Sequence, residues 1–183
     1  MINPEQYTPG EASGAQVRKE GDKWTLILVR ELRHPPEKVW EALTDPAQMR
    51  EWAPFVVDGN LGKAGTTVNL TWVGNPTPQK TIVKRAEAPE ALEFGDIRWE
   101  LEPLGSGTRL TLWHNIDHRF IAWGAAGWHI SFDVLDRLFT GNPITRIARA
   151  DAMKCGWQRL VGEYARQFGV EPPRWESKAA EKP

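Results

Sequence analysis

The stretch Arg30-Glu-Leu-Arg-His-Pro-Pro-Glu-Lys-Val-Trp-Glu-Ala-Leu-Thr-Asp-Pro-Ala-Gln-Met-Arg-Glu-Trp52 decides the fold. Pro35 and Pro36 end a strand, because proline lacks the ladder donor yet suits a first helical turn. Glu37 to Leu43 then predicts a short helix with Val39, Trp40 and Leu43 on one face. Asp45 is a natural N-cap for a second helix, with Pro46 its first residue, Gln48 the capping-box partner, and Met49 and Trp52 its apolar face. Two helices this short do not hold together in water, so they must dock on something larger.

Upstream, Gln16 to Glu20 and Lys23 to Leu32 read as two strands joined at Gly21-Asp22, a hairpin signal. Residues 1–12, with Pro4, Pro9 and Gly10 and no period, read as a flexible arm. Downstream the period is two. Val68, Leu70 and Trp72 alternate with polar neighbours, and strands follow at 80–85, 92–94, 97–102 and 108–115. The connections are short, so neighbouring strands pair antiparallel. From Ala122 to Phe139 the pattern turns helical, with Trp128, Phe132, Leu135 and Phe139 on one stripe. Ala125, Ala126 and Gly127 allow that helix to approach the sheet closely. Gly141-Asn-Pro143 stops it. Residues 142–150 read as loop with local helix. Asp151 then caps a last helix carrying Trp157, Leu160, Val161, Tyr164 and Phe168. Residues 170–183 form a polar, flexible tail, in which Trp175 is the one candidate to fold back onto the body.

This order predicts an α+β protein: a curved antiparallel sheet wrapped around a long helix, with an extra C-terminal helix. One domain over 13–169 accommodates all of it. The 23 basic and 24 acidic residues give a net charge of −1, and no basic stripe is present, which argues against nucleic acid. The one cysteine, Cys155, fits a reducing compartment. The N-terminus has neither the basic nor the apolar region of a secretory signal, and no run is apolar enough to span a membrane. A soluble, cytoplasmic protein is expected. Ten tryptophans in 183 residues suggest a thick core or a lined cavity.

Arg30-x-Leu-x-His-Pro-x-Glu-x-Val-Trp-x-Ala-Leu-Thr-Asp-Pro, followed by Trp52, resembles the opening of the START-like (SRPBCC, helix-grip) superfamily. Gly127-Trp-His, Leu135, Gly141 and the later Ala152-Met-x-x-x-Gly-Trp157 resemble a bacterial single-domain subgroup of the branch related to the activator of the heat-shock-protein ATPase. The resemblance spans about residues 14–169. It implies the helix-grip fold. It does not single out a function, because the superfamily includes lipid carriers, polyketide cyclases and partner-regulating proteins.

The candidates for chemistry are few. His114 shares a strand face with Leu110 and Leu112, so it lies in or near any cavity behind the sheet; the competing reading is a satisfied structural histidine. His129 and Asp133 neighbour each other at helical spacing. They form either a general acid–base pair at a pocket mouth or a structural ion pair. Ser131 lacks a nucleophile-elbow context, and Cys155 reads as an inert packed thiol. Trp123 is a candidate exposed loop aromatic, a lid or contact point. His114 and His118 on one strand would lie about 13 Å apart, too far to share a metal; neither metal nor cofactor is expected. Trp72, Trp99, Leu112, His114, Trp128, Phe132 and Leu135 are the expected lining of a ligand cavity between sheet and helix. Three functions follow. The first is binding of an apolar or aromatic small molecule without covalent chemistry. The second is a cyclase or dehydratase in which His114 or His129 moves protons and Asp133 orients. The third is a protein-interaction role, with a chaperone ATPase or a second copy as partner.

Overall fold

A computed structural model describes residues 3–175. Strands β1 (Ala15–Glu20) and β2 (Lys23–Leu32) form the expected hairpin, in register from Ala15↔Leu28 to Glu20↔Lys23. Helices α1 (Pro36–Thr44) and α2 (Pro46–Trp52) follow, then β3 (Phe55–Val57), β4 (Thr67–Trp72), β5 (Gln79–Glu87), β6 (Ala91–Phe94), β7 (Ile97–Leu104) and β8 (Gly107–Asn115). The sheet order is β1-β2-β8-β7-β6-β5-β4-β3, every pair antiparallel. The two short helices therefore carry the chain from β2 to the opposite edge of the sheet, and the strands meander back until β8 closes against β2. Helix α3 (Ile121–Leu138) packs into the curve, and α4 (Ala150–Lys154) and α5 (Trp157–Phe168) follow it. The α+β helix-grip architecture expected from residues 30–52 is what forms.

Local chemistry explains the element ends. Asp45 caps α2 by accepting from the N–H groups of Ala47 (2.7 Å) and Gln48 (3.2 Å). Gln48 is not its capping-box partner, because the Asp45 N–H is already taken by the Glu41 carbonyl at the end of α1. One cap residue thus serves two helices. The last helix is also not continuous. Gly156 sits at φ +88°, which breaks it after Cys155, so Asp151 lies inside the short α4 instead of capping α5.

One apolar core joins these elements. Within it Trp52, Trp99, Phe55, Phe94 and Phe132 are completely enclosed or nearly so. The N-terminal segment also joins the body. Pro4–Gln6 is a single 3-10 turn, and Tyr7 is 5% exposed. Its hydroxyl donates to Asp133 on α3. The Pro4 carbonyl accepts from Cys155, and the Pro9 carbonyl accepts from Arg159 at 2.6 Å. The sequence expectation of a loose arm missed these partners, because all lie more than a hundred residues away. Trp175 does fold back, onto Trp123 and Trp157 at 5.5 and 5.8 Å between ring centroids. The rest of the expected tail, 176–183, lies outside the described residues.

Tyr7→Phe keeps the ring and removes the hydroxyl from Asp133. The unfolding free energy is expected to fall by about 1.5–3 kcal/mol, the range for a hydrogen bond to a charged group. Urea denaturation of the two proteins measures it, and an unchanged midpoint would mean that the Tyr7–Asp133 hydrogen bond adds nothing to stability.

Candidate functional site

The sheet and α3 do not fill the space between them evenly. At one end Trp52 of α2 enters the curve. Its ring lies 5.9 Å from Trp99, 6.1 Å from Phe132 and 6.5 Å from Trp128. Its N–H donates to the Ala42 carbonyl at 2.9 Å. This half is solid. In the other half a cavity of about 630 Å³ remains.

Its walls come from four places. The end of β8 supplies His114, Asn115 and Ile116, and the end of β4 supplies Trp72 and Val73. The first three turns of α3 supply Trp123, Gly124, Gly127, Trp128 and Ser131. The segment Ile147–Met153 and the rings of Trp157 and Trp175 close the outer side. Two glycines shape the helix wall differently. A Cβ on Gly124 would run into Ile116, whereas a Cβ on Gly127 would meet nothing within 4 Å. The missing side chain of Gly127 therefore enlarges the cavity instead of bringing helix and sheet together, as its sequence neighbours had suggested.

His114 is the one imidazole in the wall. Trp72 stacks on it with ring centroids 5.8 Å apart and planes 6° apart. The Trp128 indole N–H donates to its Nδ1 at 3.0 Å. Burial pushes its pKa down to about 4, so the ring is neutral at physiological pH. At the mouth, Asp117 is held well below the usual carboxylate range by hydrogen bonds from the side chain and backbone of Arg119. Arg149, with φ +56°, donates from Nε to the Val73 carbonyl at 2.8 Å and ties the closing segment to the end of β4.

The expected site residues divide along this line. Trp72, His114 and Trp128 come together on the cavity wall. Trp99, Leu112, Phe132 and Leu135 do not line it; they are at most 1% exposed in the solid half. Alternation for Trp99 and Leu112, and helical spacing for Phe132 and Leu135, placed them on the inward face correctly, but depth along the element decides the rest. Leu112 pairs across the ladder with Trp99, while His114, one inward position further along β8, pairs with Ile97. His129 and Asp133 also lie elsewhere. They face the docked N-terminal segment and α5, where His129 Nδ1 meets the Tyr164 hydroxyl at 2.8 Å and Asp133 accepts from Tyr7. Burial first, then the charges of Arg30 and Arg159, lowers the His129 pKa to about 3. Its 3.6 Å approach to Asp133 is therefore a contact of a neutral ring, not an ion pair. Burial raises the Asp133 carboxyl, with the Tyr7 hydrogen bond opposing it. His118 turns away from His114 to Trp24 and Asp117. Trp123 belongs to the first turn of α3, not to a loop, and packs against Phe120 and Trp157. Among the described residues no group of three metal-binding side chains converges, and no helix is long and apolar enough to cross a membrane.

Sequence reasoning missed Ser131 and the segment 147–153. The first carried a usable signal: it stands one turn beyond Trp128 on the same helix face. The second is aperiodic and carried none.

The comparisons with known proteins agree with the fold. The family model for polyketide cyclase / dehydrase and lipid transport proteins matches residues 24–165. Among solved structures, CalU16 from Micromonospora echinospora is similar at 20% identity and a TM-score of 0.60, over 85% of this chain and 93% of that one. A conserved protein of unknown function from Enterococcus faecalis is similar at 17% identity and a TM-score of 0.61, over 84% and 89%. DynU16, from the dynemicin biosynthetic locus, is similar at 24% identity and a TM-score of 0.56, over 68% of this chain and 49% of that one. At these identities the structures speak to fold alone. No curated protein matches. The START-like superfamily expected from the opening stretch is borne out; the narrower branch of ATPase activators gains no support.

The histidines make a pH prediction. Both His114 and His129 are less basic folded than unfolded, so as pH falls the unfolded chain takes up protons first. Their stabilisation is complete above the ordinary histidine pKa of 6.5 and is lost as pH falls through that value toward about 4 and about 3. Asp133, with its raised pKa, acts in the opposite sense. His114→Gln is expected to flatten the acid-side loss of stability between pH 6.5 and 4, read as urea midpoints against pH. An unaltered slope would mean that His114 is not held neutral by burial.

Proposed function

The chain belongs to the polyketide cyclase / dehydrase and lipid transport family, and from that premise we propose that it binds an apolar, aromatic small molecule in the cavity between sheet and α3, without covalent catalysis. The observation that carries this reading is the cavity itself. At about 630 Å³ it is of the size that takes small organic ligands. Its inner wall is largely indole and aliphatic surface.

The chemistry of the wall favours binding over turnover. The acid–base pair that a catalytic reading would use, His129 and Asp133, is sequestered under the N-terminal segment. His114 is neutral, and its basic nitrogen already accepts from Trp128. A general base needs that nitrogen free and a pKa near the working pH. The single buried, unpaired Cys155 fits the cytoplasmic location expected from sequence.

The test fills the cavity from inside. Gly127→Leu places a side chain where a Cβ meets nothing within 4 Å, and removing a mid-helix glycine favours the helix by up to about 1 kcal/mol. Titration with 1-anilinonaphthalene-8-sulfonate, followed by dye emission and tryptophan quenching, is expected to show saturable binding to the unmodified protein. Gly127→Leu should weaken it at least tenfold while the melting temperature holds or rises. Equal binding by both proteins would sink the reading.

A further inference from the structure

Helix α4 is five residues long and stands between two backbone positions of positive φ. Gly156, at φ +88°, follows it, and Arg149, at φ +56° and ψ −121°, precedes it. Glycine takes such angles freely. Arg149 is the one non-glycine residue at positive φ among the described residues, and side chains avoid that region on steric grounds, so something must hold it there. The holder is its own guanidinium, which donates from Nε to the Val73 carbonyl at 2.8 Å, just past the end of β4. Gly74 leaves room for that reach, since a Cβ on it would run into the Arg149 guanidinium. On the inner side, Ala152 and Met153 of α4 line the cavity. On the outer side, the N-terminal segment lies across α4 and the Gly156 joint. Cys155 donates to the Pro4 carbonyl at 3.0 Å, and Lys154 Nζ comes within 3.9 Å of Glu5. Beyond the joint, Arg159 donates to the Pro9 and Gly10 carbonyls at 2.6 and 3.2 Å. No side chain caps the start of α4, and a helix this short does not hold its shape alone.

We propose that α4 is a hinged gate on the cavity. It turns on Arg149 and Gly156, is clasped shut by the Arg149–Val73 bond, and is latched from outside by the N-terminal segment. This rests on the ligand-binding reading above and adds to it the route by which a guest passes. The other walls cannot yield in this way. The ends of β4 and β8 are paired within the sheet, and α3 is packed along the core. The gate is also sprung. In the closed position the clasp offsets the strain at Arg149; in the open position both are gone. Loss of the clasp therefore leaves a strained hinge that only the N-terminal latch keeps closed.

Cys155, the one cysteine of the chain, is 3% exposed at the swinging end and reports opening. Its labelling by dithionitrobenzoate is followed at rising urea, below the unfolding transition. Labelling through the gate is expected to depend weakly on urea, because local opening exposes little surface, whereas labelling through global unfolding depends steeply. Arg149→Ala removes the clasp and keeps the strain, and should quicken labelling at least tenfold. Arg149→Gly removes both and should fall between Arg149→Ala and the unmodified protein, an order that loss of a ligand contact would not produce. Stopped-flow mixing with the anilinonaphthalene dye should show association and dissociation both severalfold faster in Arg149→Ala, with a smaller change in their ratio. Arg159→Ala loosens the latch without touching the cavity and should quicken both readouts; it carries the test if Arg149→Ala does not fold. Labelling that tracks global unfolding in every protein, or dye kinetics unchanged in both Arg149→Ala and Arg159→Ala, overturns the gate and leaves the ligand-binding reading standing. No binding of the dye to any of these proteins overturns both.

Discussion

The indole N–H of Trp52 donates to the Ala42 carbonyl, from one short helix back to the other, and the closed half of the molecule depends on that bond. A buried indole needs its hydrogen bond, and the carbonyl that accepts it belongs to α1, so the bond ties α2 to α1. The Trp52 ring then enters the curve of the sheet, where Trp99, Trp128 and Phe132 surround it. The wedge fills one end and stops. Beyond it the sheet offers His114 and the helix offers Gly127 and Ser131, residues too small or too polar to close the gap. The cavity is thus a consequence of where the aromatic cluster ends.

Much of this was legible in the chain. Pro35-Pro36, the Asp45 cap and the period-two runs fixed the order and type of elements, because each is a local signal with a local cause. Alternation also named the inward-facing residues correctly. It could not say how far along the curve each would lie, which is why Leu112 and Trp99 are core while His114, two residues along the same strand, faces the cavity. Long-range polar partners were invisible for a different reason. Nothing in the context of Tyr7 announces Asp133, 126 residues away. The α4–α5 break was readable in principle from Gly156, whose positive φ is available to few other residues.

The titratable groups are distributed with some economy. Arg30 and Ser13 meet Tyr164, Tyr164 meets His129, and His129 approaches Asp133, which holds Tyr7. This chain joins the N-terminal segment, β2, α3 and α5. Each member is close to another, so these five side chains and the Ser13 backbone form one connected polar set between α3, α5, β2 and the N-terminal segment. The cavity wall carries the His114 imidazole, the Ser131 hydroxyl and the amides of Asn75 and Asn115. The charged residues Asp117 and Arg149 stay at the rim.

The Trp128–His114 bond does more than orient a ring. It runs from α3 to β8, so it is also a tie across the open half, where the aromatic wedge does not reach. Imidazole is conjugated: when its N–H is shared with an outside oxygen, electron density moves to the opposite nitrogen, which becomes the better acceptor. An occupant of the cavity that takes the Nε2 proton therefore tightens the tie between helix and sheet. Occupancy and stiffness of this end are coupled through five ring atoms, and amide exchange at the start of α3 would register a guest that never touches the backbone.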